Sequence, residues 1–352
     1  MSNEISSIDQ LLDNYESSQK EKANYGLDKE ERKKKKFKIT SDQETFRFMK
    51  MDTPKKYFDE VHFHEIKIGK YTQKIPCLKN DGEDCPLCNK YEELLNKQHK
   101  GKRDSLTEEQ LAYNDKVYKE ALKFKARKHI VFEGIDRGAE KEGKKIWLVR
   151  ENLKKDGVFD KLIPAIKAYN SAHGKDYTDT DDGVDMIITA VQDVIQHSKQ
   201  KYWKVTGINP SGKPTPLHTD ENTANKYLKD KTTWRDLYPK FEITGVAEGA
   251  EMLQLIVEGN APYWDEDKKT FVFPNRPDLA KKYAELRSEQ KEKRNDGPAD
   301  DVNPIASIMS NKNVSSLDDD DDDFENDLNK IKSSSDFDAT SGLDEDFDDL
   351  PF

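Results

Sequence analysis

The sequence predicts a mixed, strand-led fold whose core spans residues 40–295, between an N-terminal arm and an acidic tail. Six segments alternate between apolar and polar residues as strands do. The first begins near Thr45, and the others lie at 60–68, 123–135, 145–150, 183–191 and 201–208. Helix-like segments are interleaved with these strands, which is typical of a mixed fold. Charged residues make up 37% of the chain and apolar residues 34%, so part of it is not expected to pack.

Residues 1–39 are predicted to form an N-terminal arm and a basic linker. Apolar residues recur at helical spacing over 5–15, which predicts a short amphipathic helix. One arginine and four lysines follow at 32–36. We expect this run to contact phosphates or to dock a protein, and a solubilising or localisation tract is the alternative.

Four helices are predicted within the core. Thr107 and Gln110 have the spacing of a capping box and would open a helix after residue 107. A second helix is predicted over 157–171, where Pro164 is expected to introduce a kink. The others are predicted at 246–258 and 276–294.

Residues 296–352 are predicted to be a disordered acidic tail. From residue 300 onward the chain has 17 acidic and three basic residues, a net charge of −14, and Asp318–Asp323 is an unbroken run of aspartates. The preceding 299 residues have 56 basic and 53 acidic residues. A slightly basic body with an acidic tail is typical of proteins that bind polyanions.

The three cysteines point to a metal site in a reducing compartment. Cys77, Cys85 and Cys88 lie within twelve residues and are too few for a disulfide scaffold. Neither a signal peptide nor an apolar stretch of about 18 residues is recognisable. We therefore expect a cytoplasmic protein.

The cysteine pair Cys85-Pro86-Leu87-Cys88 has the spacing that lets two thiolates reach one tetrahedral ion. Cys77 would supply a third ligand and His64 a fourth, with His62 on the same strand face as the reserve candidate. Three chance cysteines beside a buried histidine are the alternative. Four nitrogen and sulfur ligands favour one structural Zn²⁺ and leave no open position for a catalytic water.

Basic and aromatic residues are mixed in three of the predicted strands. In the first, Lys123, Lys125, Arg127 and His129 would share one face, and Lys128 breaks the pattern. A row of positive charge suits the phosphates of a nucleic acid strand, and any base can stack on an aromatic ring. A solvated basic face over an ordinary core is the alternative.

The residues expected to contact DNA share this basic or aromatic character, and Tyr118 and Trp203 are the leading stacking candidates. They are Lys123, Lys125, Arg127, Lys128, Tyr118, Tyr113, Tyr71, Lys145, Trp147, Arg150, Lys201, Tyr202 and Trp203. Tyr202 and Trp203 would point to opposite faces of one strand, so at most one of them is expected to stack.

The spacing from His64 to Cys77, followed by the Cys-Pro-x-Cys pair, resembles the helix-destabilising single-stranded DNA-binding proteins of T-even-type phages. The resemblance covers about residues 45–241 and includes the basic–aromatic segment and a helical stretch near Trp234. It implies an OB-fold-like core braced by a zinc subdomain, with single-stranded DNA in a positive cleft between them. The gap between Cys77 and Cys85 is shorter than in the T-even form, and 32–36 would replace the basic arm of the family.

The C-terminal tip resembles that of bacterial single-stranded DNA-binding proteins, which dock replication and repair proteins. A small apolar anchor would fill a pocket while carboxylates meet a basic rim. The docking residues are Asp348, Asp349, Leu350, Pro351 and Phe352. An acidic tail with an incidental ending is the alternative.

Together these features predict a non-enzymatic protein that coats single-stranded DNA in phage-type replication, recombination and repair, within an infected bacterial cell if it is phage-encoded. Self-association along DNA is compatible with this function. The rival hypotheses are a zinc-stabilised RNA-binding or scaffold protein and a zinc-dependent nuclease. The nuclease would need an open metal position or a carboxylate cluster, and neither motif is recognisable.

Overall fold

The computed structural model describes residues 29–69, 71–102, 105–151, 156–194, 201–265 and 268–293. The predicted amphipathic helix at 5–15 and the acidic tail from 296 lie outside these residues. None of the described helices has the length and apolar character to cross a bilayer.

Seven of the described strands form one sheet in which all neighbours are antiparallel. They are β1 (Gln43–Phe48), β2 (Asp59–Ile68), β3 (Tyr71–Pro76), β4 (Ala126–Asp136), β5 (Lys144–Arg150), β6 (Met186–Val194) and β7 (Lys201–Pro210). The order is β3-β2-β4-β1-β6-β7, and β5 pairs along the other side of β4. The mixed, β-led fold is thus confirmed, whereas the OB-fold stays a prediction.

Alternating apolar side chains give the sheet two buried faces. Phe46 and Trp147 lie on one face, in a cluster completed by Leu162 of the helix Val158–His173. Phe63 lies on the other face, where Trp234 packs over it. Because both faces are covered, alternation along a strand does not by itself mark a solvent-exposed side.

The four helices predicted in the core are present, and the structure adds helices at Lys29–Lys35, Pro86–Leu95 and Glu221–Lys229 that were not predicted. The described helices are α1 (Lys29–Lys35), α2 (Pro86–Leu95), α3 (Glu108–Leu122), α4 (Val158–His173), α5 (Glu221–Lys229), α6 (Trp234–Leu237), α7 (Gly249–Val257) and α8 (Pro277–Lys293). The Thr107–Gln110 capping box is confirmed, with the Gln110 amide donating to the Thr107 hydroxyl. Pro164 lies inside α4, and α7 is followed by Gly259 in the left-handed region, where glycine is favoured.

The basic run at 32–36 is packed against the sheet. The Phe37 backbone amide donates to the Ile146 carbonyl (2.9 Å). The Phe37 ring packs on the Phe46 ring, with centroids 4.5 Å apart. Lys35 also pairs with Asp230 at 2.5 Å. These contacts hold helix α1 beside β5.

The C-terminal part of the core packs against the cysteine segment, residues 77–88. Ile75 and Leu87 share one buried cluster with Met252 of α7, Phe271 of the small β8–β9 sheet and Tyr283 of α8. Strands β8 (Tyr263–Asp265) and β9 (Thr270–Val272) form this second sheet. The two chain segments therefore stabilise each other.

Candidate metal centre and nucleic-acid interface

The four predicted metal ligands meet where a β-hairpin and the start of a helix come together. His64 lies on β2, which pairs with β3, and Cys77 follows β3. The Cys77 amide donates to the His62 carbonyl (2.9 Å) and so stays beside β2. Helix α2 begins immediately after Cys85, which leaves Cys88 in its first turn.

The ligand atoms are spaced as a tetrahedral ion requires. Nε2 of His64 lies 3.4 Å from Sγ of Cys85 and 3.7 Å from Sγ of Cys88. Sγ of Cys77 lies 3.5 Å from Sγ of Cys88, and all four atoms lie within 4.8 Å of one another. Zinc bonds of about 2.3 Å to sulfur and about 2.0–2.1 Å to nitrogen, at tetrahedral angles, separate the donors by roughly 3.6–3.8 Å. The cluster can therefore hold one metal ion and is compatible with structural zinc.

A backbone contact orients the imidazole. Nδ1 of His64 lies 2.9 Å from the carbonyl oxygen of Phe124, at the end of α3. With Nδ1–H donating to that carbonyl, the lone pair of Nε2 points into the cluster, as in metal sites with a supporting second shell. His62 lies outside the cluster, and its amide donates to Oδ1 of Asn80 (2.9 Å). Of the two histidines, the structure therefore places His64 among the ligands.

A metal ion would compete with protons for the ligand atoms of this cluster. Burial disfavours the charged form of His64, but hydrogen bonds to the sulfurs of Cys77 and Cys85 raise its pKa to about 9. Hydrogen bonds to Cys77 and to each other lower the pKa of the Cys85 thiol and raise that of the Cys88 thiol. Metal binding would therefore release protons from the cluster.

The segment predicted as a basic strand from residue 123 is instead divided between a helix end and a strand. Lys123 caps α3 and pairs with Glu120 (2.7 Å), and β4 begins only at Ala126. His129 is buried, and burial lowers its pKa well below the usual value. The prediction of one exposed row that includes Lys123 and His129 is therefore wrong.

Lys125, Arg127 and Lys128 are half-buried at the start of β4. Arg127 lies 3.3 Å from a carboxylate oxygen of Glu65. Lys128 lies 3.0 Å from Glu151 and 3.4 Å from Glu60. Arg127 and Lys128 are thus both in ion pairs with carboxylates.

Two of the predicted contacts on β5 belong to the interior. Lys145 is buried with its ammonium group 2.9 Å from Asp136 and 2.8 Å from Glu142. The buried ring of Trp147 packs edge-on against Phe37. The prediction that Lys145 and Trp147 contact DNA is therefore wrong, because both side chains are buried. Arg150 is half-buried at the end of the strand.

On β7 the structure distinguishes the two neighbouring aromatic residues. Tyr202 is buried, and its hydroxyl donates to Asp193 (3.2 Å), so the prediction that it contacts DNA is corrected. Trp203 is only partly buried, and Lys201 is exposed. Trp203 is the one of the two aromatic rings that a base can reach.

The predicted tyrosines near the cysteine segment lie apart in the fold. Tyr113 on α3 is 43% exposed and contacts His99 edge-on at 5.2 Å. Tyr118 is half-buried on the same helix. Tyr71 begins β3, and its side chain lies outside the described set.

Sequence analysis missed a further basic–aromatic segment between β1 and β2. Lys55-Lys56-Tyr57-Phe58 has the same mixture as Lys201-Tyr202-Trp203-Lys204, but it lies in a loop. The prediction considered strands only, so a search for the mixture irrespective of secondary structure would have found it. The predicted docking residues, Asp348, Asp349, Leu350, Pro351 and Phe352, lie outside the described residues.

In comparisons with known proteins, no protein-family model and no curated protein matches this chain.

Proposed function

We propose that the chain binds single-stranded DNA without sequence preference, in phage-type DNA replication, recombination and repair. In this proposal the sheet is an OB-fold-like platform and the His64–Cys88 cluster binds one structural zinc ion. The resemblance to T-even-type phage proteins supports it, as do the basic residues of β4 and the hairpin of β6 and β7.

The observation that carries the proposal is the outer half of the β6–β7 hairpin. Trp203 pairs with Gln192 across the strands, and Lys201 pairs with Val194. Directly opposed residues project to the same face, so Trp203 and Lys201 lie on one side of the hairpin. Val194, which shares this face, is 42% exposed, and it leaves apolar surface beside these two residues.

An indole ring and an ammonium group on one face suit the binding of a nucleic acid strand. Any base can stack on an indole ring, whereas ammonium groups attract the phosphates that recur along the backbone. The carboxylate of Asp193 accepts a hydrogen bond from Tyr202, on the opposite face of the hairpin from Lys201. The Trp203 face is therefore both aromatic and basic.

The cations of β4 supply a second part of the proposed surface. Ion pairs between partly exposed groups contribute only about 0–1 kcal/mol, so a phosphate can replace the carboxylates that now face Lys128. Lys125 precedes the same strand. Binding is then expected to release counterions and to weaken as salt rises.

The metal ion is assigned a supporting role. Three thiolates and one imidazole favour zinc, and four protein ligands complete a tetrahedral shell. The ion would fasten the cysteine segment to β2 through His64 and Cys77, next to the start of β4. It supplies cohesion in this proposal and takes no part in hydrolysis.

The test is a titration of the full chain with labelled single-stranded DNA, duplex DNA and single-stranded RNA of equal length at several salt concentrations. We expect preference for the single DNA strand, similar affinity for different sequences and a steep salt dependence. Replacing both Lys125 and Arg127 by Ala should make the slope of log affinity against log salt shallower by about one to two. Equal affinity for duplex DNA would contradict the proposal, and preference for RNA would favour the rival hypothesis.

Tryptophan fluorescence gives a site-specific readout of the same binding. Trp147 and Trp234 are buried, whereas Trp203 and Trp264 are partly exposed. Single-stranded DNA should quench the wild type and Trp264→Phe, and the quenching should be largely lost in Trp203→Phe. Undiminished quenching in Trp203→Phe would remove this residue from the site.

The acidic tip is proposed to recruit replication, recombination or repair proteins. Its apolar end can act as an anchor while the flanking carboxylates and the α-carboxylate meet a basic rim. The residues are Asp348, Asp349, Leu350, Pro351 and Phe352.

A further inference from the structure

The loop between β1 and β2 holds lysines and aromatic rings at the protein surface. The side chains of Lys50 and Lys55 are 52% and 46% exposed. The Lys55 ammonium group lies over the ring of Phe58, 5.1 Å from its centroid. A cation and an aromatic ring thus lie together on the same loop.

The aromatic core opens to the surface at this loop. The ring of Phe58 packs edge-on against Phe159, in the first turn of α4, with centroids 5.1 Å apart. Both rings are only partly buried, whereas Phe132 behind them is buried. A flat ligand can therefore contact the pair without disturbing the interior.

The loop is held in place by contacts that involve one carboxylate. Asp176 accepts a hydrogen bond from the Tyr57 hydroxyl (3.0 Å) and lies 3.0 Å from the Lys50 ammonium group. The Tyr57 ring stacks on Tyr177 at 5.7 Å. A loop fixed in this way loses little conformational entropy when it binds a ligand.

The loop is continuous with the basic start of β4. Glu60 lies 2.8 Å from the Lys55 ammonium group and 3.4 Å from that of Lys128. One carboxylate thus bridges a lysine of the loop and a lysine of the proposed DNA-binding strand. A strand of DNA in contact with Lys128 would meet Lys55 next.

We propose that this loop, together with Phe159, is a second contact site for single-stranded DNA. Phe58 and Phe159 offer apolar ring surface to bases, and Lys50 and Lys55 contact phosphates. The inference rests on the proposed function and extends the same surface. Single-stranded DNA is favoured over a protein ligand because the lysines flank the rings and lead to Lys128.

The first test is the Phe58→Leu, Phe159→Leu double variant, which keeps apolar volume and removes the aromatic rings. Its affinity for single-stranded DNA should fall about tenfold or more, because stacking on aromatic side chains is lost. Tyr263→Leu is the matched control, since Tyr263 is exposed on the separate β8–β9 sheet, and it should bind like the wild type. Thermal unfolding of all three proteins reports whether each is folded.

The second test does not depend on the stability of these variants. Oligonucleotides that carry 5-iododeoxyuridine are photo-crosslinked to the wild type, and the attached tryptic peptides are identified by mass spectrometry. We expect peptide 57–67, which begins with Tyr57-Phe58, or peptide 156–161, which contains Phe159. Replacing Lys50 and Lys55 by Gln should also make the salt slope shallower, unlike Lys281→Gln on α8.

The outcomes separate the two proposals. If the wild type does not bind single-stranded DNA, the proposed function fails and this site fails with it. If the wild type binds but the folded double variant binds equally well and crosslinks lie elsewhere, only the second site is overturned. In that case the aromatic pair becomes a candidate surface for a protein ligand.

Discussion

Replacing His64 by Gln tests the metal centre, and replacing His62 by Gln is its matched control. The two histidines lie two residues apart on β2, but only His64 belongs to the cluster with the three cysteines. We expect one zinc ion per chain in the wild type and in His62→Gln. His64→Gln should bind zinc much more weakly because it retains three of the four ligands.

The loss of stability expected for His64→Gln follows from the coupling between zinc binding and folding. Altering a second-shell partner alone costs about 10–100-fold in metal affinity, so losing a ligand should cost at least about 100-fold. With zinc in excess, a 100-fold weaker affinity lowers the free energy of unfolding by about 2.7 kcal/mol. For a folded body of about 260 residues, an unfolding entropy of about 2.1 cal/mol/K per residue makes this a fall in Tm of about 5 °C. His62→Gln should change stability by about 1 kcal/mol or less.

The assay combines elemental analysis after dialysis with thermal unfolding at a buffered zinc concentration. Cobalt substitution adds a spectroscopic readout, because thiolate-to-cobalt bands report the ligand set. The assignment is refuted if His64→Gln retains one tightly bound zinc ion per chain. It is equally refuted if His62→Gln loses the metal and His64→Gln does not.

Three further predictions concern pH and the acidic tail. The buried His129 has a pKa well below its unfolded value, so the folded protein excludes a proton that the unfolded chain binds below about pH 6.5. The free energy of unfolding should therefore decrease as pH falls below that value, by about 1.4 kcal/mol per pH unit. Chemical denaturation of the wild type and His129→Gln between pH 6.5 and 5 measures this decrease. Equal slopes of unfolding free energy against pH for the two proteins would refute the prediction. Deleting the tail from Leu317 onward should tighten binding of single-stranded DNA, most strongly at low salt, because the acidic segment and DNA compete for basic groups. Deleting Phe352 alone should leave DNA affinity unchanged but abolish partner capture from host extract, and identical partner lists would show that the tip is only solvated charge.

The metal cluster was accessible to sequence analysis because its chemistry is encoded locally. A Cys-x-x-Cys pair, one further cysteine and a nearby histidine already limit the geometry. What the sequence left open was the choice between His62 and His64. That choice depends on the contact between His64 and the carbonyl of Phe124, sixty residues further along the chain.

The proposed nucleic-acid surface was less predictable because the sheet is covered on both faces. Lys145 and Trp147 look like a basic–aromatic strand, yet both are buried, and Asp136 and Glu142 neutralise the lysine. Lys123 was placed on a strand because its alternation with Lys125 continues that of β4, although helix α3 runs up to Leu122. The alternation of apolar and polar residues along a strand shows neither which charged residues form ion pairs nor which elements cover a face of the sheet.

The position of Phe37 has a practical consequence for dissecting the chain. Its ring packs against both Phe46 and Trp147, so it fills space in the aromatic core that no residue after position 40 can reach in the same way. A truncated protein that begins at residue 40 would leave a cavity worth about 3–5 kcal/mol, as for loss of a buried phenylalanine side chain. Trimming for crystallisation or NMR should therefore stop before Lys29, where α1 begins. Phe37 and the basic helix that precedes it therefore belong to the packed core.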